Sequence, residues 1–154
     1  VEADLKNPTN LEELAILLRQ VHRLPPAGRR FDPIASAARY AEQLGTDNAH
    51  EIFREIKLES DSLQSDELAL CHNDLVSGNI LESDRLMLID WEWAGVGDQY
   101  FDLAVFVQHH GLGEELVRHF LAAYRGGEPS TADKDRLESQ CRFYQLLLEL
   151  WDML

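Results

Sequence analysis

The stretch CHNDLVSGNILESDRLMLIDWEWAGVGDQYFDLAVF, residues 71–106, is the most informative part of this chain. His72 is followed two residues later by Asp74, and Asn79 comes five residues after that aspartate. An apolar run then ends on Asp90. Polar groups at these intervals, separated by apolar residues, indicate a site built on a few short strands.

A hairpin is predicted within this stretch. Residues 79–81 and 86–89 are apolar and of strand length, and the polar residues 82–85 between them suit a turn. Such a hairpin would return Asn79 and Asp90 to one side. The run before Asp90 is expected to be a buried strand, whose end would hold the carboxylate rigidly.

The residue types suit phosphoryl transfer. In such a site one carboxylate faces the attacking hydroxyl, while an amide oxygen and a second carboxylate hold Mg²⁺ against the nucleotide phosphates. We therefore predict that Asp74 accepts or orients the hydroxyl proton, and that Asn79 and Asp90 bind Mg²⁺ and, with it, ATP. The alternative for the His-x-Asp-x₄-Asn spacing alone is a capped loop with a buried histidine.

The rest of the chain is predicted to be mainly helical, because apolar residues recur at helical spacing between proline and glycine breaks. Thr9 or Asn10 is the expected cap of the first helix, and Asp32 is that of the second, because a proline follows it. A short strand is expected at residues 67–71. The fold class is thus mainly α with a small β element (α+β), in one domain of residues 1–154. The helices are predicted at residues 9–24, 32–44, 48–63, 101–110, 114–124 and 130–154.

Composition argues against several partners. The 14 Lys and Arg against 28 Asp and Glu give a formal net charge of −14, so neither nucleic acid nor an anionic membrane surface is an expected partner. An acidic field suits cationic substrates and metal ions, although it also serves solubility. No apolar run approaches the ~20 residues of a membrane span. The acidic first residues do not resemble a signal peptide, and the two cysteines are expected as buried thiols, so the predicted location is cytoplasmic.

The segments CHNDLVSGNIL and LMLIDWEWAGVGDQYFDLA resemble the aminoglycoside phosphotransferase and choline kinase superfamily, which shares the protein-kinase-like fold. Within it they are most similar to bacterial choline/ethanolamine kinases, over roughly residues 68–106. The resemblance implies the C-terminal lobe of a kinase, acting with ATP on the hydroxyl of a small amino alcohol such as choline or ethanolamine. A thiamine kinase, an aminoglycoside phosphotransferase and a non-catalytic kinase-like binding module are the alternatives.

The same resemblance implies roles for residues around the motif. Asp74 matches the catalytic base, and His72 matches a residue of the catalytic loop that braces it by hydrogen bonds. Asn79 and Asp90 match the Mg²⁺ ligands. Glu92 matches an acidic position that supports a second Mg²⁺ or the substrate side, with a structural salt bridge as the alternative.

Further roles are implied outside the motif. Asp102 matches a helix-start carboxylate that ties the catalytic loop in place, with a cap or salt bridge as the alternative. Trp93, Tyr144 and Trp151 are candidates for the substrate headgroup pocket, because aromatic faces bind ammonium groups. Leu148 stands where many family members have tryptophan, and packing in the core is the alternative for the three aromatic residues.

A complete family member also has an N-terminal lobe, with a phosphate-covering loop and a strand lysine that pairs with ATP phosphates. In this sequence nothing precedes the first helix of the C-terminal lobe. The missing lobe is thus the expected partner, and the 154 residues alone are expected to bind ATP poorly and to turn over little.

Overall fold

The computed structural model describes residues 1–63 and 68–154, and it confirms a mainly helical chain with a small β element. The helices in the described ranges are α1 Pro8–His22, α2 Pro33–Leu44, α3 Asp47–Ser62, α4 Gln99–His109, α5 Glu114–Arg125 and α6 Thr131–Asp152. The strands are β1 Leu68–Cys71, β2 Ile80–Glu82, β3 Leu86–Leu88 and β4 Gly95–Asp98. Residue 67 of the predicted first strand lies outside the described residues.

Helix α1 begins earlier than predicted. Its N-cap is Asn7, whose side chain accepts a hydrogen bond from the N–H of Thr9, so the prediction of Thr9 or Asn10 as the cap is wrong. The physical reason is Pro8, which has no N–H to satisfy and whose fixed φ suits the first position of a helix.

Two other helices begin at local caps, of which Asp32 was predicted. Asp32 caps α2 by accepting from the N–H of Ala35, and the helix ends at Gly45, which has a φ of 62°. Ser130 and Asp133 form a reciprocal capping box at the start of α6. These ends depend on residues adjacent in sequence, and so they could be predicted locally.

The strands form two antiparallel pairs. β2 and β3 make the predicted hairpin, with Ile80 opposite Leu88. β1 pairs with β4, which was not predicted because its sequence contains two glycines and glycine weakens a strand. The glycine at position 95 has a packing reason, since an added Cβ there would lie 2.8 Å from the carbonyl oxygen of Arg29.

The strand before Asp90 is not buried, which corrects the prediction. β3 ends at Leu88, and Met87 and Ile89 are 41% and 39% exposed. Within β3 only Leu86 is buried, because a two-stranded hairpin turns one face to the core. Whatever holds Asp90 in place must therefore come from other contacts.

The core lies beneath the two strand pairs, around α4. Residues 100–107 of this helix are all buried, which confirms the predicted buried helix. Helix α6 packs along α4, while α5 contacts it through the rings of Phe106 and Phe120 and α1 through His22 and Asp102. Asp102 in turn binds the loop between β1 and β2. No helix in the described ranges combines the length and apolar character needed to cross a bilayer.

Candidate active site

Asp74 and Asn79 are joined directly. A single 3₁₀ turn at Ser77–Asn79 lies between β1 and β2. The side-chain nitrogen of Asn79 then donates to the carbonyl oxygen and to the carboxylate Oδ2 of Asp74, both at 2.9 Å. Because the nitrogen end of the amide is engaged, its oxygen Oδ1 remains, and none of the described residues donates to it. A neutral oxygen of this kind is a suitable Mg²⁺ ligand.

Asp90 is positioned through the residue before it. The N–H of Ile89 donates to the carbonyl oxygen of Asn79 at 3.0 Å, and the carbonyl oxygen of Ile89 accepts from Nε2 of His72 at 2.9 Å. The peptide that leads into Asp90 is thus held on both sides. Asp90 itself has φ 60° and ψ 67°, a left-handed conformation that aspartate adopts more readily than most residues, and its carboxylate is exposed.

His72 braces this arrangement from inside the protein. Its side chain is fully buried, and its ring lies 4.6 Å from that of Trp91, centroid to centroid. Nε2 donates to the Ile89 carbonyl, while Nδ1 accepts from the N–H of Asp74 at 3.3 Å. Both ring nitrogens therefore hold the main chain, and neither faces a substrate.

Asp102 holds the main chain just before Asp74. This buried carboxylate on α4 accepts from the N–H of His72 at 2.8 Å and from the N–H of Asn73 at 2.6 Å. Asn73 has a φ of 66°, again in the left-handed region. The importance of Asn73 was missed in the sequence, although asparagine beside a candidate site is itself a signal for a left-handed residue.

A cleft of about 460 Å³ opens at Asp74. Trp93, Tyr144 and Trp151, the three predicted substrate residues, all line it. Trp93 and Trp151 are 41% and 53% exposed, which is not the packing expected of core residues. Tyr144 is buried and forms part of the floor. The aromatic lining as a whole comprises Phe31, Tyr40, Trp93, Phe101, Tyr144 and Trp151.

Tyr40 was not predicted as a site residue. It lies on α2, and its ring meets that of Trp151 edge to face, with centroids 5.4 Å apart and an angle of 77°. No local pattern marks Tyr40, because only the packing of α2 against α6 brings the two rings together. The same packing places the ring of Tyr40 in the wall of the cleft. Leu148 lines the same cleft but contributes only an aliphatic side chain.

Two carboxylates contribute to the lining of the cleft. Asp74 and Asp152 both line it, and none of its described lining residues is a lysine or an arginine. Burial, and after it the negative charges of Asp74 and Asp152, together raise the pKa of Tyr144 to about 12. The phenol hydroxyl is therefore protonated at neutral pH. Aromatic faces and carboxylates together suit a cationic ligand.

Glu92 is placed differently from the other candidates. It is exposed in the 3₁₀ turn Trp91–Trp93 that directly follows Asp90. It is not among the described residues that line the cleft. Its position beside Asp90 is compatible with a support for a cation, and its predicted role stays a prediction.

The chain is similar to several known proteins. Residues 2–138 match the family described as the phosphotransferase enzyme family. Protein LicA of Haemophilus influenzae is 44% identical over 55 residues, which are 35% of this chain and 21% of LicA. The crystal structure of a choline/ethanolamine kinase family protein from Mesorhizobium loti superposes with a TM-score of 0.86 at 25% identity, over 96% of this chain and 54% of that one.

LicA in complex with AMP has the same fold, with a TM-score of 0.81 at 22% identity, over 99% of this chain and 56% of that one. This chain thus spans about half the length of the solved structures it resembles. The neighbours confirm the predicted mainly α, kinase-like lobe. Because the family match covers most of the sequence, the chain belongs to the phosphotransferase enzyme family.

Proposed function

We propose that this chain is the catalytic lobe of an ATP-dependent kinase that phosphorylates the hydroxyl of a small amino alcohol, choline or ethanolamine. One observation carries the proposal: Asp74, oriented by Asn79, opens into the same cleft that the aromatic residues and Asp152 line. A substrate with a hydroxyl at one end and a cation at the other matches a cleft with these two kinds of group.

Asp74 serves the hydroxyl end. Its Oδ2 is held by Asn79, which leaves its second carboxylate oxygen, Oδ1, to accept a hydrogen bond from the substrate hydroxyl. Such a contact orients the hydroxyl for attack and takes up its proton. The clamp of His72 and Asp102 on the adjacent main chain keeps this carboxylate in one position.

The residues present fit a Mg²⁺–nucleotide complex. The free oxygen of Asn79 and the exposed carboxylate of Asp90 are hard oxygen donors, the type that Mg²⁺ prefers, and would hold the ion, with Glu92 nearby on the next turn. When bound, Mg²⁺ neutralises charge on the transferred phosphoryl group. The chain's own part is to present these oxygens on main chain that hydrogen bonds fix in place.

The cationic end of the substrate would lie against the aromatic wall. Ammonium groups bind aromatic faces with a favourable energy of roughly 0.5–2 kcal/mol, more when the site is desolvated. Tyr40 and Trp151 offer such faces, and Asp152 supplies a nearby negative charge. A cleft of about 460 Å³ lies at the small end of the range for ligand sites, which favours a small amino alcohol over an aminoglycoside.

None of the three lysines of the chain lies on a strand: Lys6 precedes α1, Lys57 is on α3 and Lys134 is on α6. The strand lysine that grips ATP in the family thus has no counterpart in this chain. We therefore expect the 154 residues by themselves to show little turnover.

The test is an ATP-consumption screen of the natural gene product that contains this sequence. Choline, ethanolamine, thiamine and an aminoglycoside are each offered with Mg²⁺-ATP, and Asp74→Asn serves as a control that keeps the shape of the side chain. We expect consumption with an amino alcohol that Asp74→Asn abolishes. Consumption only with thiamine or an aminoglycoside would move the proposal to that substrate class, and no consumption with any acceptor would favour a non-catalytic module.

A further inference from the structure

We propose that His109 is a specificity-determining residue of the cleft. When its ring takes up a proton, the cleft gains a positive charge, and the binding of a cationic acceptor weakens. This inference deepens the proposed function and rests on it for the class of ligand, a small cation that carries a hydroxyl group.

His109 is the last residue of α4, where it is exposed and lines the cleft. Asp74, from the loop between β1 and β2, lines the same cleft, as does Asp152, the last residue of α6. These two carboxylates are the negative charges to which a cationic ligand would be drawn. A histidine in the same lining is therefore placed to change the charge that such a ligand meets.

The next residue, His110, does not share this position. It is not among the described residues that line the cleft, and its Nε2 donates to the carbonyl oxygen of Leu75 at 3.2 Å. The rings of His109 and His110 lie 5.3 Å apart, centroid to centroid, and the charge of His109 adds to the lowering of the pKa of His110 that burial causes. A charge on His109 is thus felt by a group at this distance.

The ring of His109 can gain or lose its proton without breaking a contact. Within the described part of the chain, no hydrogen bond or ion pair joins this ring to another residue. Histidine is also the side chain that ordinarily changes its charge between about pH 5 and about pH 8. Among the described residues that line the cleft, His109 is the one histidine.

The other titratable groups around the cleft respond in a different pH range. Burial and the two carboxylates raise the pKa of Tyr144, on α6, to about 12. Tyr40, on α2, is a second phenol in the lining. Phenols ordinarily lose their proton at about pH 10, and carboxylic acids at about pH 4. Outside the lining, the guanidinium of Arg29 lies 6.0 Å from the ring centroid of Trp93, and an arginine keeps its charge throughout.

Protonation of His109 opposes a bound cation because it places a like charge in the lining and offsets the charge of the carboxylates. Like charges several ångströms apart at a partly solvated site change an equilibrium constant by about fivefold. The binding of a cation should therefore be strongest when His109 is neutral and should weaken as the pH falls. An uncharged alcohol of the same shape is not affected, so the preference of the cleft for the cation depends on the state of His109.

The experiment measures the binding of choline, whose charge is the same at every pH, by calorimetric titration of the natural gene product at about pH 5.5 and about pH 8. Ethanolamine is titrated in parallel. The matched ligand is the uncharged carbon analogue of choline, in which a tert-butyl group replaces the trimethylammonium group. His109→Gln removes the titratable group, His109→Lys carries a positive charge at both pH values, and His119→Gln, at an exposed position on α5, is the control.

We expect the Kd of the wild type for the cation to be about fivefold higher at the lower pH, and the Kd for the uncharged analogue to change by less than about twofold. His109→Gln should bind the cation tightly at both pH values, whereas His109→Lys should bind it weakly at both. His119→Gln should follow the wild type. A pH-independent Kd for the cation in the wild type, an equal pH dependence in His109→Gln, or the same dependence for the uncharged analogue would each overturn the proposal.

Failure of this inference and failure of the proposed function give different results. ATP consumption together with a pH-independent Kd for the cation would keep the proposed function and reject the role of His109. Binding of the cation with the expected pH dependence, but without ATP consumption, would reject the kinase activity and support the role of His109. If neither choline nor ethanolamine binds at either pH, both proposals fail.

Discussion

A single amide group links the candidate base to the candidate metal site: Nδ2 of Asn79 donates to both the carbonyl oxygen and the carboxylate of Asp74, at 2.9 Å each. The nitrogen end orients Asp74, and the oxygen end is the proposed Mg²⁺ ligand. The orientation of the carboxylate and the position of the cation ligand are therefore coupled through one side chain.

This coupling predicts the behaviour of Asn79→Asp. The variant keeps an oxygen for Mg²⁺ but loses the donor to Asp74 and places a second negative charge against it. We expect kcat to fall by about 10²-fold, at the lower end of what a general base contributes, while the apparent affinity for Mg²⁺ is kept or increased. Steady-state kinetics with a Mg²⁺ titration measure both. A normal kcat would show that Asn79 does not orient Asp74.

Asp90→Ala tests the carboxylate on the other side of the hairpin. Because its carboxylate is the charged donor of the proposed Mg²⁺ site, we expect the Mg²⁺-dependent part of ATP binding to weaken by about tenfold or more, the equivalent of about 1.4 kcal/mol. Calorimetric titration of the natural gene product with ATP, with and without Mg²⁺, measures the difference. Asp84→Ala, at an exposed position in the hairpin turn, should bind normally. An unaltered metal titration in Asp90→Ala rejects the ligand role.

Trp151→Leu tests the aromatic wall. The side chain is half-exposed at the cleft and contacts Tyr40, so its removal should cost ligand binding and little folding stability. We expect KM for the amino alcohol to rise by about tenfold, in line with a cation–π energy of roughly 1–2 kcal/mol, with kcat nearly unchanged. Trp151→Phe keeps an aromatic face, so its KM should lie between those of the wild type and of Trp151→Leu. Equal KM values for all three proteins would remove Trp151 from the binding site.

Gly95→Ala should destabilise the fold. The new Cβ would lie 2.8 Å from the carbonyl oxygen of Arg29 and 3.3 Å from the Cβ of Phe31, and the main-chain oxygen cannot simply rotate away. We expect the free energy of unfolding in urea to fall by about 1–3 kcal/mol. Gly127→Ala, where nothing lies within 4 Å of the added Cβ, is the matched control. Equal stabilities would mean that the crossing chain can move aside.

His110 should give the stability a pH dependence of definite sign. Its Nε2 donates to the carbonyl oxygen of Leu75, next to Asp74, at 3.2 Å. Burial lowers its pKa below 6.5, the hydrogen bond to Leu75 partly offsets this, and His109 adds to the lowering. The unfolded state thus takes up the proton more readily. The contribution of His110 to the folding stability is therefore complete above pH 6.5. It is lost as the pH falls through the lower folded-state pKa of His110.

Urea unfolding on either side of pH 6.5 measures this effect. Stability should fall less toward acid in His110→Gln than in wild type, and His119→Asn, which is exposed, should match wild type. A steeper loss of folding stability toward acid pH in His110→Gln than in wild type would contradict the predicted direction of the effect.

Features that depend on neighbours in sequence were predictable. The start and end of α2, the capping box of α6, the hairpin turn and the buried run of α4 all follow from spacing, caps and breakers. The error at α1 is of the same local kind, because Pro8 was overlooked. The strand β4 could not be found in this way, because its glycines are explained only by the chain that crosses it.

The spacing of Asp74, Asn79 and Asp90 was enough to suggest the chemistry, because a short loop joins the first two and a hairpin joins the last two. The arrangement that holds them was decided in three dimensions. His22, Asp102 and the amides before Asp74 are up to 80 residues apart, and the edge-to-face rings of Tyr40 and Trp151 come from separate helices. Contacts between distant segments leave no periodic or local signal, since burial and hydrogen bonding depend on the packed core and not on neighbouring residues.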